Sequence, residues 1–153
     1  MKKKIQTNFF CKSNYWSKRM LKIKEIVKNI IKIDELDFKK NNSYILNLIF
    51  VDDKKIKNIN KTYRKKNKAT DVLSFPFFSS NKLKLIKEKN IYIGDIAASY
   101  EIINSRAKKN SFFLEFDKVW IHGFLHLLGY DHIKDRDYFK MEKIEKKFLK
   151  SIT

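Results

Sequence analysis

A single cysteine, Cys11, a single proline, Pro76, and three glycines are all that this chain has of the residues that cross-link or sharply bend a backbone. One thiol excludes an intramolecular disulfide and cannot build a thiolate metal site. So little Gly and Pro excludes a low-complexity or linker-divided chain, and it makes Gly94, Gly123, Gly129 and Pro76 informative one by one. No apolar run approaches the roughly 18 residues of a membrane span. Lys2 to Lys4 resemble the start of a signal peptide, but Phe9, Phe10 and Cys11 are too short an apolar stretch to follow it. The expected location is therefore cytoplasmic, with no membrane partner. Acidic residues are also scarce, 17 against 35 Lys and Arg, for a net charge of +18. That excess favours an acidic or phosphate-bearing partner. Only Arg19, Arg64, Arg106 and Arg136 are arginines, and the chain is rich in Ile and Asn. Drift towards A- and T-rich codons loads a surface with lysine in this way, so part of the excess carries no function.

What is present supports one domain spanning 1–153. The chain has 153 residues, 43% of them hydrophobic, enough to bury a core without staples. Residues 3–10 suit a short edge strand. Trp16, Met20, Ile23, Val27 and Ile30 recur at steps of four and three, which predicts an amphipathic helix. After a polar break at Asp37–Ser43, Tyr44–Val51 reads as a strand. Asp52 or Asp53 can cap a helix carrying Ile56, Ile59 and Tyr63. Val72–Phe75 is a short strand stopped by Pro76, 77–90 a loop, and Ile91–Ala98 a strand interrupted at Gly94-Asp95. Ser99 and Ser111 are expected caps of two successive helices. The second, about 112–128, is apolar almost all round, the mark of a helix buried at the centre of a domain. Tyr138, Met141, Ile144 and Phe148 predict a final amphipathic helix. The fold class is α+β: a small mixed sheet flanked by helices, with a central buried helix.

That central helix carries the chemistry. All three histidines fall in one eleven-residue window, His122 to His132. His122 and His126 are one helical turn apart, so their imidazoles can aim at one point. Gly129 can end the helix in the left-handed conformation, and His132 can return as a third nitrogen. Three imidazoles with one open position is the coordination of a catalytic zinc. The bland alternative is a pair of core or capping histidines with an unrelated third. The spacing HxxxHxxGxxH also fits a long protease pattern, but that pattern places Glu directly after the first His as general base. Gly123 stands there instead, which argues against a peptidase.

The second informative stretch runs from Asn60 to Pro76. Arg64 stands among Lys61, Lys65, Lys66 and Lys68, after a helix and before a buried strand. A planar guanidinium binds phosphate in bidentate fashion and can stabilise developing negative charge. Read alone, the segment is better taken as a solvated helix end whose lysines suit the dipole. Thr70-Asp71 can form a turn or cap, Ser74 can bond to backbone, and Asp95 can be a bulge residue or the partner that orients a ligating histidine.

Taken together, these residues resemble a known family. His122-Gly-Phe-Leu-His126-Leu-Leu-Gly129-Tyr-Asp-His132 looks like the signature of the YbeY rRNA maturation factors, metal-dependent endoribonucleases. Asn60 to Pro76 is similar to the family segment ending in TDVLSFP, and Ile93 to Ile96 to its GDI strand. The resemblance covers about residues 44–150. It implies one Zn²⁺ held by His122, His126 and His132, with Arg64 and His122 as the candidate catalytic residues. It also implies single-stranded RNA, not DNA, as substrate, and a role in 16S rRNA 3′-end maturation and quality control of the small ribosomal subunit. Asn67 and Ala69 depart from the aspartate and proline frequent in the family, which bears on the rigidity of the loop beside Arg64. Two readings stay open beside this one: a metal hydrolase of another class, and a non-catalytic assembly protein with a structural zinc.

Overall fold

Every second side chain from Tyr44 to Phe50 is aliphatic or aromatic, and a strand alternates its faces. The segment forms strand β2 (Ser43–Val51), with Tyr44, Leu46, Leu48 and Phe50 buried on one face. The computed structural model describes residues 4–31, 43–108, 111–131 and 134–152. In it β2 is flanked in parallel by β1 (Lys4–Cys11) and β4 (Asn90–Ser99), while β3 (Val72–Pro76) runs antiparallel along β4. The order β1-β2-β4-β3 puts β1 on one edge, as expected, and leaves Pro76 at the end of the other edge strand, where a missing N–H is tolerated.

β4 is continuous through Gly94-Asp95. Its register against β2 shifts between Ile45 and Leu46, and Gly94 takes φ +138°, where a Cβ would overlap the Phe75 carbonyl oxygen. The bulge turns Asp95 onto the sheet face opposite Leu46 and Leu48. There its carboxylate accepts from Asn47 Nδ2 at 2.8 Å and from the Tyr92 hydroxyl, while Asn47 accepts from Asn8 at 3.0 Å. Asp95 is thus a bulge residue, and among the described residues its partners are Asn47 and Tyr92 rather than a histidine.

The expected N-terminal helix divides in two, α1 (Asn14–Ser17) and α2 (Met20–Ile31). Ser13 caps α1, and the Trp16 indole donates to the Val51 carbonyl at 2.9 Å, while Ile23 and Val27 are buried beneath α2. The break lets both anchors reach the core. Of the polar break, residues 37–42 lie outside the described residues. α3 (Asp53–Arg64) is capped by Asp52, whose carboxylate accepts from Lys55 N at 2.8 Å. It covers the second sheet face, where Val51, Ile56, Leu73 and Ala97 form a small core.

Residues 77–90, expected as loop, contain a short helix α4 (Ser80–Leu85), because the Ser79 hydroxyl accepts from Lys82 N at 3.4 Å. Ser99 and Ser111 stand at the starts of α5 (Tyr100–Arg106) and α6 (Phe112–Leu127), but neither side chain makes a capping bond. The Ser99 hydroxyl donates instead to the Asp53 carboxylate, tying α5 to α3. α6 packs against β3 and β4. It buries Phe116, Trp120, Phe124 and Leu125, each contributing on the order of 1.5–3 kcal/mol. α7 (Asp135–Ile152) closes the core with Met141 and Phe148. Its first turn is exposed, so Tyr138 stays 49% accessible rather than joining the apolar stripe.

Candidate functional site

α6 has two working sides. Phe116, Trp120 and Phe124 point into the core, and the stripe Glu115, Lys118, Val119, His122, His126 lines a groove of about 1040 Å³. His122 and His126 meet there with their Nε2 atoms 3.0 Å apart and their rings nearly perpendicular, at 83°. Each ring is held from behind. His122 Nδ1 lies 2.7 Å from Glu145 Oε1, and His126 Nδ1 lies 3.0 Å from the Tyr130 carbonyl oxygen.

Chemistry assigns the protons. A carbonyl oxygen only accepts, so His126 Nδ1 donates; a carboxylate accepts too, so His122 Nδ1 donates to Glu145. Both Nε2 atoms then turn lone pairs towards each other. At 3.0 Å that contact is repulsive unless a cation, proton or metal, lies between the two nitrogens. Zinc takes imidazole nitrogen at roughly 2.0–2.1 Å, which sets two ligands of one ion a little over 3 Å apart. The donor pair therefore fits such an ion. Among the described residues no third His, Cys, Asp or Glu completes a set, and the expected ligand His132 lies outside the described residues.

The turn after α6 is what brings Tyr130 back. Gly129 adopts φ +94°, its N–H donates to the His126 carbonyl at 3.0 Å, and Tyr130 N–H donates to the Leu125 carbonyl at 3.0 Å. This paired closure is the Schellman motif, which needs a residue without Cβ strain at its left-handed position. The same turn thus ends the helix and fixes the tautomer of His126.

Gly123 has a steric cause. A Cβ there would lie 2.9 Å from Ser74 Oγ, 3.1 Å from Ile96 Cγ2 and 3.3 Å from Val72 Cγ2. The position faces β3 rather than the groove, and Ser74 Oγ donates to the Gly123 carbonyl at 3.2 Å. A glutamate base at this position has neither room nor access to the histidines.

Arg64 is the last residue of α3, and it lines the same groove as the two histidines. One guanidinium nitrogen donates to the Ser74 carbonyl at 2.6 Å, and the group sits 5.3 Å above the Phe75 ring. That leaves further N–H donors on the groove wall. Lys65 caps α3 in the left-handed conformation, and the following loop is tied down by buried Asn60, whose Nδ2 donates to the Lys68 carbonyl at 2.9 Å. Asn67 and Ala69, the two departures noted in the sequence, belong to this anchored loop. On the far wall Arg106 pairs with Asp71 at 2.6 Å and Lys118 with Glu115 at 3.1 Å. With those cations paired, the remaining cations of the groove are Arg64, Lys66 and Lys68, set against the carboxylates of Asp131 and Glu145.

The structure places His122, His126 and Arg64 on one groove, with Glu145, Arg106, Lys118 and Asn60 beside them. Glu115 and Lys118 were legible as the continuation of the histidine stripe at helical spacing. Glu145 carries a weaker signal, a charged residue four positions after Met141 and three before Phe148, on the buried side of α7. Three raised pKa values lie outside the groove, among them that of Glu101, which burial holds above the usual carboxylate range. Burial, then the neighbouring Asp95, pushes Tyr92 up to about 12, and burial alone pushes Asp117 up to about 7.

Known proteins are similar to this chain in sequence and fold. The family model for Endoribonuclease YbeY matches residues 10–153. An Endoribonuclease YbeY from Pelagibacter ubique is 41% identical, over 96% of this chain and 97% of the relative. One from Clostridium botulinum is 38% identical, over 85% and 86%. The solution structure of a Thermotoga maritima protein superposes with a TM-score of 0.55 at 27% identity, covering 94% of this chain and 87% of the other.

Proposed function

Because this chain belongs to the YbeY family of endoribonucleases, we propose that it cleaves single-stranded RNA using one zinc ion held by His122, His126 and His132. The observation that carries this reading is the pair of imidazoles with Nε2 atoms 3.0 Å apart, each anchored through Nδ1, in a groove shared with Arg64. When bound, zinc supplies Lewis acidity towards a phosphodiester oxygen and makes water a stronger acid.

The chain's own residues do the rest. Arg64, fixed by the Ser74 carbonyl and the Phe75 ring, presents its remaining donors to a phosphate and stabilises charge that develops on it. Lys66 and Lys68 hold the strand electrostatically. Gly123 supplies no base, which argues against a peptidase. The substrate implied by the family resemblance is the 16S rRNA precursor on the small ribosomal subunit, in the cytoplasm.

The test is cleavage of a labelled single-stranded RNA and its duplex by wild type, Arg64→Ala and His126→Ala, with zinc content and thermal unfolding measured on the same samples. Single-strand cleavage is expected to fall on the order of 100-fold in Arg64→Ala with zinc retained. In His126→Ala it should be lost together with zinc, in a folded protein. Equal cleavage by all three, or activity in a folded zinc-free variant, overturns the mechanism. Unfolding of His126→Ala on loss of zinc points to a structural ion.

A further inference from the structure

We propose that Glu145 is a positioning residue of this site: its carboxylate holds His122 with the proton on Nδ1 and so commits Nε2 to the groove. The inference deepens the zinc reading and rests on it for everything concerning metal affinity; the orientation of the ring stands by itself. Glu145 Oε1 lies 2.7 Å from His122 Nδ1, and both side chains are partly shielded, at 25% and 34% exposure. A charged acceptor in such surroundings makes a hydrogen bond about twice as strong as a neutral one. His126 receives the same orientation from a backbone carbonyl, which no side-chain substitution can remove. Among the described residues, His122 Nδ1 takes its partner from a replaceable carboxylate.

The position of Glu145 also argues for a role beyond solubility. It stands between Met141 and Phe148 on the side of α7 that packs on the core, where an unpartnered carboxylate would be costly. The imidazole gives it a partner. In return the carboxylate adds one negative charge next to the ion-binding pair.

The experiment uses the full chain, labelled with ¹⁵N, in wild-type, Glu145→Ala and Glu145→Gln forms. Long-range proton–nitrogen correlation spectra of the metal-free proteins at alkaline pH report which ring nitrogen of His122 carries the proton. Zinc affinity is measured by competition with a chromophoric chelator, and thermal unfolding shows that each variant folds. Wild type is expected to show Nδ1–H at His122. Glu145→Ala should lose that preference and bind zinc about 10–100-fold more weakly. Glu145→Gln, whose amide oxygen still accepts, should keep the tautomer and lose less affinity. A residue that merely stabilised α7 would lower the melting temperature in both variants with tautomer and affinity unchanged, which overturns the proposal. It also falls if His122 carries its proton on Nε2 in wild type, whether or not zinc binds. If the tautomer shifts as expected but wild type binds no zinc, Glu145 keeps its orienting role and the zinc reading fails.

Discussion

Asp117 has the surroundings least suited to a carboxylate. It is 7% exposed, and its Oδ1 has no hydrogen-bond partner among the described residues. Burial raises its pKa from 3.8 to about 7. Between those values the folded chain holds a proton that the unfolded chain has released. The contribution of Asp117 to stability is therefore greatest below the lower value and declines as pH rises towards the upper one. Asp117→Asn keeps the neutral shape and should flatten this part of the profile. The wild type should lose on the order of 2 kcal/mol more than the variant between pH 4 and 8, read by chemical denaturation. Parallel profiles would show that the carboxylate is ionised throughout. Legibility in the sequence follows distance along the chain. His122 and His126 are readable because a helix turn links them, and Arg64 through the family resemblance of its segment, since the basic cluster alone reads as a solvated helix end. Glu145 stands 23 residues beyond His122, and its part in the site is set by the docking of α7, which no local pattern records.

At the scale of elements, α6 has a closed face against the sheet and an open face on the groove, and Gly123 marks the boundary. Gly123→Glu would recreate the protease-like pattern in sequence, yet its side chain would drive into Ser74, Ile96 and Val72. The variant should be destabilised by at least ~3 kcal/mol, visible as a lowered melting temperature, and should show no peptidase activity. A melting temperature equal to wild type would mean that the helix can rotate away from β3. Strands β1, β2 and β4 and helices α3, α6 and α7 were legible from periodicity, since each buries one face. The division between α1 and α2 was not, because it depends on the Trp16 indole reaching Val51. Nor was the role of Ser99, whose expected capping partner is replaced by Asp53 from a distant helix. Helix α4 was missed because a single serine cap nucleates it within a lysine-rich stretch.

For the whole molecule, the sequence charge of +18 favours an anionic strand, and the proposed site would seat it in the groove. For single-stranded nucleic acid the logarithm of affinity falls with the logarithm of salt at about 0.7 per neutralised phosphate. Replacing Arg64 by Ala should lower that slope by about 0.7 if it engages one phosphate, as measured by fluorescence anisotropy across a salt series. An unchanged slope would place the bound strand elsewhere on the basic surface. The mixed sheet order, by contrast, lay beyond sequence reasoning. Alternating apolar residues announce strands without saying which neighbours they choose.

The two imidazoles are assembled by different kinds of folding event. His126 is oriented by Tyr130, four residues away, so its half of the site travels with the helix and its closing turn. His122 takes its orientation from Glu145 across the α6–α7 contact. If α7 detaches as a cooperative unit ahead of the remaining core, the site loses one ring's alignment while the other persists. Amide exchange along 135–152 should then track the loss of ordering at His122 and leave His126 unaffected. Docking of the last helix would be the final step that makes the groove competent.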